Sequence, residues 1–415
     1  MATVKPFRAL RPLPEKAREV ASVPYDVVDS NGARRLAHGN PLSFLHVIRP
    51  EIDLPVGIDL YDERVYRRGA ENLQSLVRKG VLLDEESPCV YLYRIIEGER
   101  EQTGIAACCA VDDYDGGIIK KHEHTRKEKE DDRVRNMLAL SAHAGPVLMT
   151  FRTTESINAL IEKYTGSSSP AQQLYGFTAN DGVRHRIWRV EGGEQIIDAF
   201  KAVAAFYIAD GHHRAAGASR VRRELAQQRG IISGEEECNF FPSLLFPSDQ
   251  LRILPYNRYV TELNGLDSSA FIKALEKSFA ITEGEPEPSF KGEFGMCLES
   301  TWYLLKPKEE ELQRIGADAE DPVLSLDLTI FQKILLEPVL GITDQRSDQR
   351  IEFVGGVDSI ESLERRVAER GGVAFTFHPV SVDELLAVAD AGSIMPPKST
   401  WFSPKPRSGL LIHRF

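Results

Sequence analysis

What this chain lacks narrows it first. Its five cysteines, Cys89, Cys108, Cys109, Cys238 and Cys297, form no C-x-x-C pair. An odd, scattered set argues against a disulfide framework and for reduced, buried thiols. No run of about 18 apolar residues occurs, and residues 1–14 are basic without an apolar stretch of signal-peptide length, so the expected location is the cytoplasm. Basic charge is in deficit: 51 Lys and Arg face 62 Asp and Glu, a net charge of −11. A main nucleic-acid-binding face needs clustered cations, so nucleic acid is not expected as a partner. No G-x-x-x-x-G-K-[ST] occurs, and no G-x-G-x-x-G follows a strand, which disfavours the common kinase folds. The G-x-S-x-G elbow is missing and the cysteines have no basic neighbours, which leaves serine and cysteine nucleophiles without support. There is no internal repeat.

What is present is an ordinary globular composition, 42% hydrophobic and 27% charged over 415 residues. That length suggests two or three structural units, or one large α/β domain with insertions. Strands are expected over 4–13, 43–48, 89–94 with 103–111 as a hairpin, 146–151, 184–190 and 240–246, and helices over 61–79, 126–142, 156–164 and 195–203. Strand and helix alternate, without the regularity of a doubly wound sheet. From about residue 260 the character changes towards an added α+β unit, with helices over 263–279, 327–339, 359–370 and 382–391. Residues 395–415 form a rigid, basic, hydroxyl-rich tail that ends in an apolar strand and is expected to dock.

The stretch Phe206-Tyr207-Ile208-Ala209-Asp210-Gly211-His212-His213-Arg214 organises the rest. Apolar residues run into a tight polar turn, where Gly211 permits φ > 0 and close backbone approach. A run of helix formers follows, placing the turn at a helix N-terminus, where backbone N–H groups and the dipole favour an anion. A carboxylate, two imidazoles and a guanidinium within five positions can bind phosphate, hold a metal or move protons, and the residues alone leave all three open. Blandly, Asp210 caps the helix and the other side chains pair locally.

A second polar cluster spans 120–133. Thr125 and Glu128 match a capping box, placing His122 and Glu123 just before a helix. Most of the charges that follow read as a solvated helix face, with His122, Glu123 and Arg133 the exceptions. Adjacent His212 and His213 point different ways on most backbones, so each cluster offers at most one imidazole ligand. A tight structural zinc site is therefore disfavoured against magnesium held by Asp210, Glu123 and phosphate oxygens.

Residues 22–26, 120–125, 209–214, 353–356 and 395–402 together resemble a large bacterial family catalogued as a domain of unknown function (number 1015). More narrowly, Asp210-Gly211-His212-His213-Arg214 is similar to the signature of the ParB/sulfiredoxin fold, whose members include a partition-protein nucleotidase, sulfiredoxin and the free-serine kinases. About 200 residues precede the motif, more than a compact member needs. The resemblance implies a mixed-sheet core with large insertions over 1–259, an added α+β unit over 260–394 and a tail over 395–415 returning to the core. It implies a small-molecule kinase or nucleotide hydrolase using ATP or ADP, possession of a magnesium site at Asp210, and free serine as a model acceptor. Carried over by position, Asp210 and His212 serve catalysis, and Glu123 is the candidate base. Lys120, His122, Arg133, Gly211, His213, Arg214, Lys398, Ser399 and Thr400 contact phosphate or nucleotide. The alternative is a nucleotide-gated, DNA-binding or regulatory protein of the same fold.

Overall fold

The computed structural model describes residues 2–230, 234–317, 320–356 and 359–415. Part of the polar stretch 230–237 therefore lies outside the described residues. The chain divides into two compact units, one of Met1–Leu251 with Pro404–Phe415, the other of Arg252–Ser403. The boundary precedes the expected change of character at residue 260, because Tyr256–Val260 pairs with Ile351–Gly355 and Val373–Phe377. The tail's first part, up to Ser403, likewise belongs to the second unit, where Trp401–Phe402 pairs with Ile253–Leu254.

The first unit is built on a nine-stranded mixed sheet. Its order is Ile119–Lys120, Phe206–Asp210, Val147–Phe151, Phe240–Pro247, Arg100–Ala110, Cys89–Glu97, Arg184–Glu191, Gln172–Thr178, with Val4–Lys5 also paired to Arg100–Ala110. Alternation of strand and helix thus yields the mixed α/β fold that the pattern predicts. The hairpin forms from Cys89–Glu97 and Arg100–Ala110. Phe206–Asp210 is buried on both faces, as its continuous apolar run requires. It runs parallel to Ile119–Lys120 and antiparallel to Val147–Phe151. Ile105, Met149, Phe151, Phe200, Phe206, Ile208 and Leu245 belong to the core built around the sheet.

The helix Lys127–Leu140 packs on the helix His212–Arg229 through Val134, Met137, Val221 and Leu225. Gly217 lets them approach closely, since a Cβ there would lie 3.3 Å from that of Arg133. The last residues complete the unit. Ile412–Arg414 is laid between Ala9–Pro12 and Ala142–His143. Arg407 N–H donates to Tyr93 Oη and its Nε to His185 Nε2, each at 3.1 Å, and Ser408 exchanges backbone hydrogen bonds with Ser22.

The second unit has a six-stranded antiparallel sheet over a core that includes Phe271, Phe294, Phe331 and Phe375. Several expectations are corrected. Residues 43–48 are not a strand, because Leu45–Ile48 is a helical turn. The helix expected over 263–279 is only Ser268–Leu275, and Phe279 opens a strand. The one expected over 327–339 is α-helical over Asp327–Phe331 and then widens into a π turn over Gln332–Leu336. Among the described residues no helix is long and apolar enough to cross a membrane.

Candidate functional site

Four segments of the first unit meet at the start of the helix His212–Arg229. The strand Phe206–Asp210 carries a register shift between Ile208 and Asp210, a bulge of the kind that re-aims a side chain. Gly211 follows with φ 104°, and no side chain caps the helix it opens. A Cβ at Gly211 would sit 3.0 Å from Arg214 Cζ and Nε, so glycine meets both the conformation and the space.

Asp210 is the electrostatic pivot. Lys405 Nζ donates to its Oδ2 at 2.5 Å, and Arg214 Nη2 lies 3.7 Å from Oδ1. Burial disfavours the carboxylate, but these two cations outweigh it and hold Asp210 well below the usual carboxylate range. Lys405 is pushed up in turn: burial opposes its charge, and Asp210 with Asp26 overcome that. Arg214 also donates to the Pro146 carbonyl, which fixes the buried guanidinium, while its Nε has no partner. The expectation that Asp210 holds magnesium thus meets two cations already at that carboxylate.

Beside this pivot lies an imidazole cluster. The rings of His122 and His212 stand edge-to-face at 4.6 Å, both buried. His122 hydrogen-bonds to the Ile208 backbone, and burial pushes it down to about 4, so it is neutral at pH 7. Burial, then His122, push His212 down well below its ordinary value. The His122 amide lies 3.5 Å from His212 Nε2, a contact at the outer limit of a hydrogen bond, and His212 Nδ1 is 3.9 Å from Glu123 Oε2. Glu123 is half-exposed. His213 points elsewhere, its Nε2 accepting from the Arg126 amide at 3.1 Å, which leaves only Nδ1 to donate to a ligand.

Neighbouring groups play different parts. Lys120 lies on the strand beside Tyr207, its Nζ 5.8 Å from that ring. Arg133 is buried, stacked 3.8 Å over Tyr25 and paired with Asp132 at 2.6 Å. The expected capping box does not form. Arg126 is the N-cap residue of Lys127–Leu140, and Thr125 donates to Glu130 instead of joining Glu128.

Residues 4–329 match the family model described as Protein of unknown function (DUF1015). The chain belongs to that family. No curated protein matches the sequence of this DUF1015 member. Among solved structures, its fold is similar to free serine kinase in complex with AMP, at 14% identity and a TM-score of 0.34, covering 74% of this chain and 91% of that one. It is also similar to SbnI with C-terminal truncation from Staphylococcus aureus, at 13% identity and a TM-score of 0.39, covering 74% and 86%. A conserved hypothetical protein from Pyrococcus furiosus is similar at 14% and 0.34, covering 73% and 93%. Likenesses this remote carry no functional inference.

The first unit of this DUF1015 chain therefore brings together Asp210, Gly211, His212, Arg214, His122 and Glu123, with His213 and Lys120 at the margin and Arg133 built into the supporting helix. Lys398, Ser399 and Thr400 belong to the second unit. There Lys398 stands 5.4 Å over the Tyr256 ring and Ser399 Oγ donates to the Pro396 carbonyl at 2.6 Å. Lys405 is the residue sequence reasoning missed. It lies in the same basic tail as Lys398, and the anchoring of the following residues, through the Ser22–Ser408 bridge and Arg407, brings Lys405 to the motif.

Proposed function

We propose that the first unit is a ParB/sulfiredoxin-like phosphotransferase that moves a phosphoryl group between ATP or ADP and a small hydroxylated metabolite, with free L-serine the first acceptor to test. One observation carries the reading: the uncapped N-terminus of an 18-residue helix, entered through a left-handed glycine, is flanked by Arg214 and Lys405 and faces a half-exposed carboxylate, Glu123. Backbone N–H groups at such a terminus bind phosphate. Phosphoryl transfer asks mainly for positioning and for charge stabilisation, both of which these groups supply.

In this reading Asp210 holds Lys405 and Arg214 in place and positions the acceptor hydroxyl or a nucleotide-borne magnesium. Phosphate oxygens are met by the backbone at Gly211 and by Arg214, with His213 Nδ1 and Lys120 at the edge. His212 gives the pocket an N–H donor at Nδ1 and His122, whose own N–H is taken by the Ile208 backbone, gives a bare ring nitrogen, neither adding charge. Glu123 takes the proton from the acceptor oxygen as that oxygen attacks the terminal phosphorus and the bond to the leaving phosphate breaks.

The test is 31P NMR of the full-length protein with magnesium, ATP or ADP, and L-serine or a panel of small alcohols. Wild type is expected to form a phosphomonoester, and Glu123→Gln and Asp210→Ala to slow it by about 100-fold or more. A wild type inactive across the whole panel with both nucleotides overturns the reading.

A further inference from the structure

His122, Glu123 and His212 each offer one ligand atom, and among the described residues these atoms all lie within 4.8 Å of one another. The geometry points to a divalent transition-metal site at this trio, of the zinc class. The inference is independent of phosphoryl transfer, since it concerns an ion held by three side chains whatever is bound beside it.

The strongest indication is a buried atom with nothing to bond to. His122 is 3% exposed, and its Nδ1 has no hydrogen-bond partner. A buried polar atom left unpaired is costly and asks for an explanation. A metal supplies one, because the His122 ring is also hydrogen-bonded to the Ile208 backbone. That is the arrangement that fixes the tautomer and orientation of a metal-bound histidine.

Ligand type then selects the ion. Two imidazoles with one carboxylate suit zinc and its first-row neighbours, whereas magnesium prefers oxygen donors and retained water. Three protein ligands leave a fourth position open, as in sites where the ion activates a bound oxygen. A tetrahedral shell with bonds of about 2 Å sets donors roughly 3.3 Å apart, so donors now up to 4.8 Å from one another must close by up to about 1.5 Å. Glu123 is the half-exposed member of the trio, the two imidazoles being buried. When His212 binds through Nδ1, its ring proton shifts to Nε2 and the 3.5 Å contact from the His122 amide gives way. A carboxylate bound through one oxygen keeps the other for accepting a proton. In the sequence zinc is disfavoured because each histidine cluster offers only one ligand; the structure takes one from each and adds Glu123 between them.

Untagged, metal-stripped full-length protein is titrated with Zn2+ by calorimetry and with Co2+ by visible absorption, without nucleotide. The expected result is one ion per chain, a cobalt spectrum of four- or five-coordinate type, and no displacement by Mg2+. Glu123→Gln, His122→Ala and His212→Ala are expected to weaken binding by about 100-fold or more, the upper end of what losing even a supporting partner costs. If the histidine variants fail to fold by circular dichroism, Glu123→Gln decides alone. No stoichiometric binding by wild type, or unchanged affinity and cobalt spectrum in Glu123→Gln, overturns the site. Because no nucleotide is present, this outcome is read separately from phosphoryl transfer.

Discussion

Lys405 and Asp210 are separated by 195 positions in sequence and 2.5 Å in space. Their pairing sets the acid response of the site. Asp210 has a folded pKa below its unfolded one, so its contribution to stability is present above the unfolded carboxylate range, near pH 4, and is lost as pH falls through the folded value. Replacing Lys405 by Met removes the largest attraction and leaves Arg214 alone against burial. Breaking a fully buried pair costs about 3–5 kcal/mol, and the partial exposure of both groups reduces this to about 1–3 kcal/mol. The expectation for Lys405→Met is a lower melting temperature at pH 7 and an acid-unfolding midpoint moved to higher pH. Thermal melts between pH 3 and 7 check this, and an unchanged acid midpoint contradicts it.

At the scale of elements, the turn between the strand Phe206–Asp210 and the helix His212–Arg229 is where backbone and chemistry are joined. Gly211→Ala puts a Cβ on a residue at φ 104° and against the Arg214 guanidinium. Strain of this kind costs about 1–3 kcal/mol, and under the proposed phosphotransferase reading a displaced Arg214 is expected to weaken nucleotide binding as well. Thermal denaturation and nucleotide titration of that variant check both effects. The Asp-Gly turn, the apolar strand before it and the helix after it are legible in the sequence because turn chemistry and helix propensity agree locally. Residues 43–48 are not, since a short apolar run has no period long enough to separate strand from helix. The capping box fails because Thr125 finds a competing partner in Glu130. The trio of His122, Glu123 and His212 is half legible: each cluster stands out, but only the parallel pairing of Ile119–Lys120 with Phe206–Asp210 sets them side by side.

For the whole molecule, the two units differ in how the chain builds them. Arg252–Ser403 is continuous and has its own antiparallel sheet and core, whereas the first unit needs Pro404–Phe415 to complete it. Those residues supply Lys405 to Asp210, Arg407 to Tyr93 and His185, and the strand Ile412–Arg414. Residues 252–403 expressed alone are therefore expected to unfold cooperatively. A chain ending at Ser403 is expected to lose the first unit's transition, a loss on the scale of a domain's whole stability, about 5–15 kcal/mol. Calorimetric melting of these two fragments distinguishes this from a tail that merely adheres. Lys405 is hidden from sequence reasoning for the same reason: nothing local says which part of a basic tail returns to a motif nearly two hundred residues earlier.

Phosphoryl transfer at the start of the helix His212–Arg229 is tested most directly by 31P NMR of wild type and Glu123→Gln side by side. Wild type with magnesium, ATP or ADP, and a small alcohol such as L-serine is expected to produce a new phosphomonoester resonance, which the variant forms about 100-fold more slowly or not at all. Equal rates in the two proteins contradict Glu123 as the base, and no resonance from wild type with any nucleotide and acceptor pair contradicts the phosphotransferase itself.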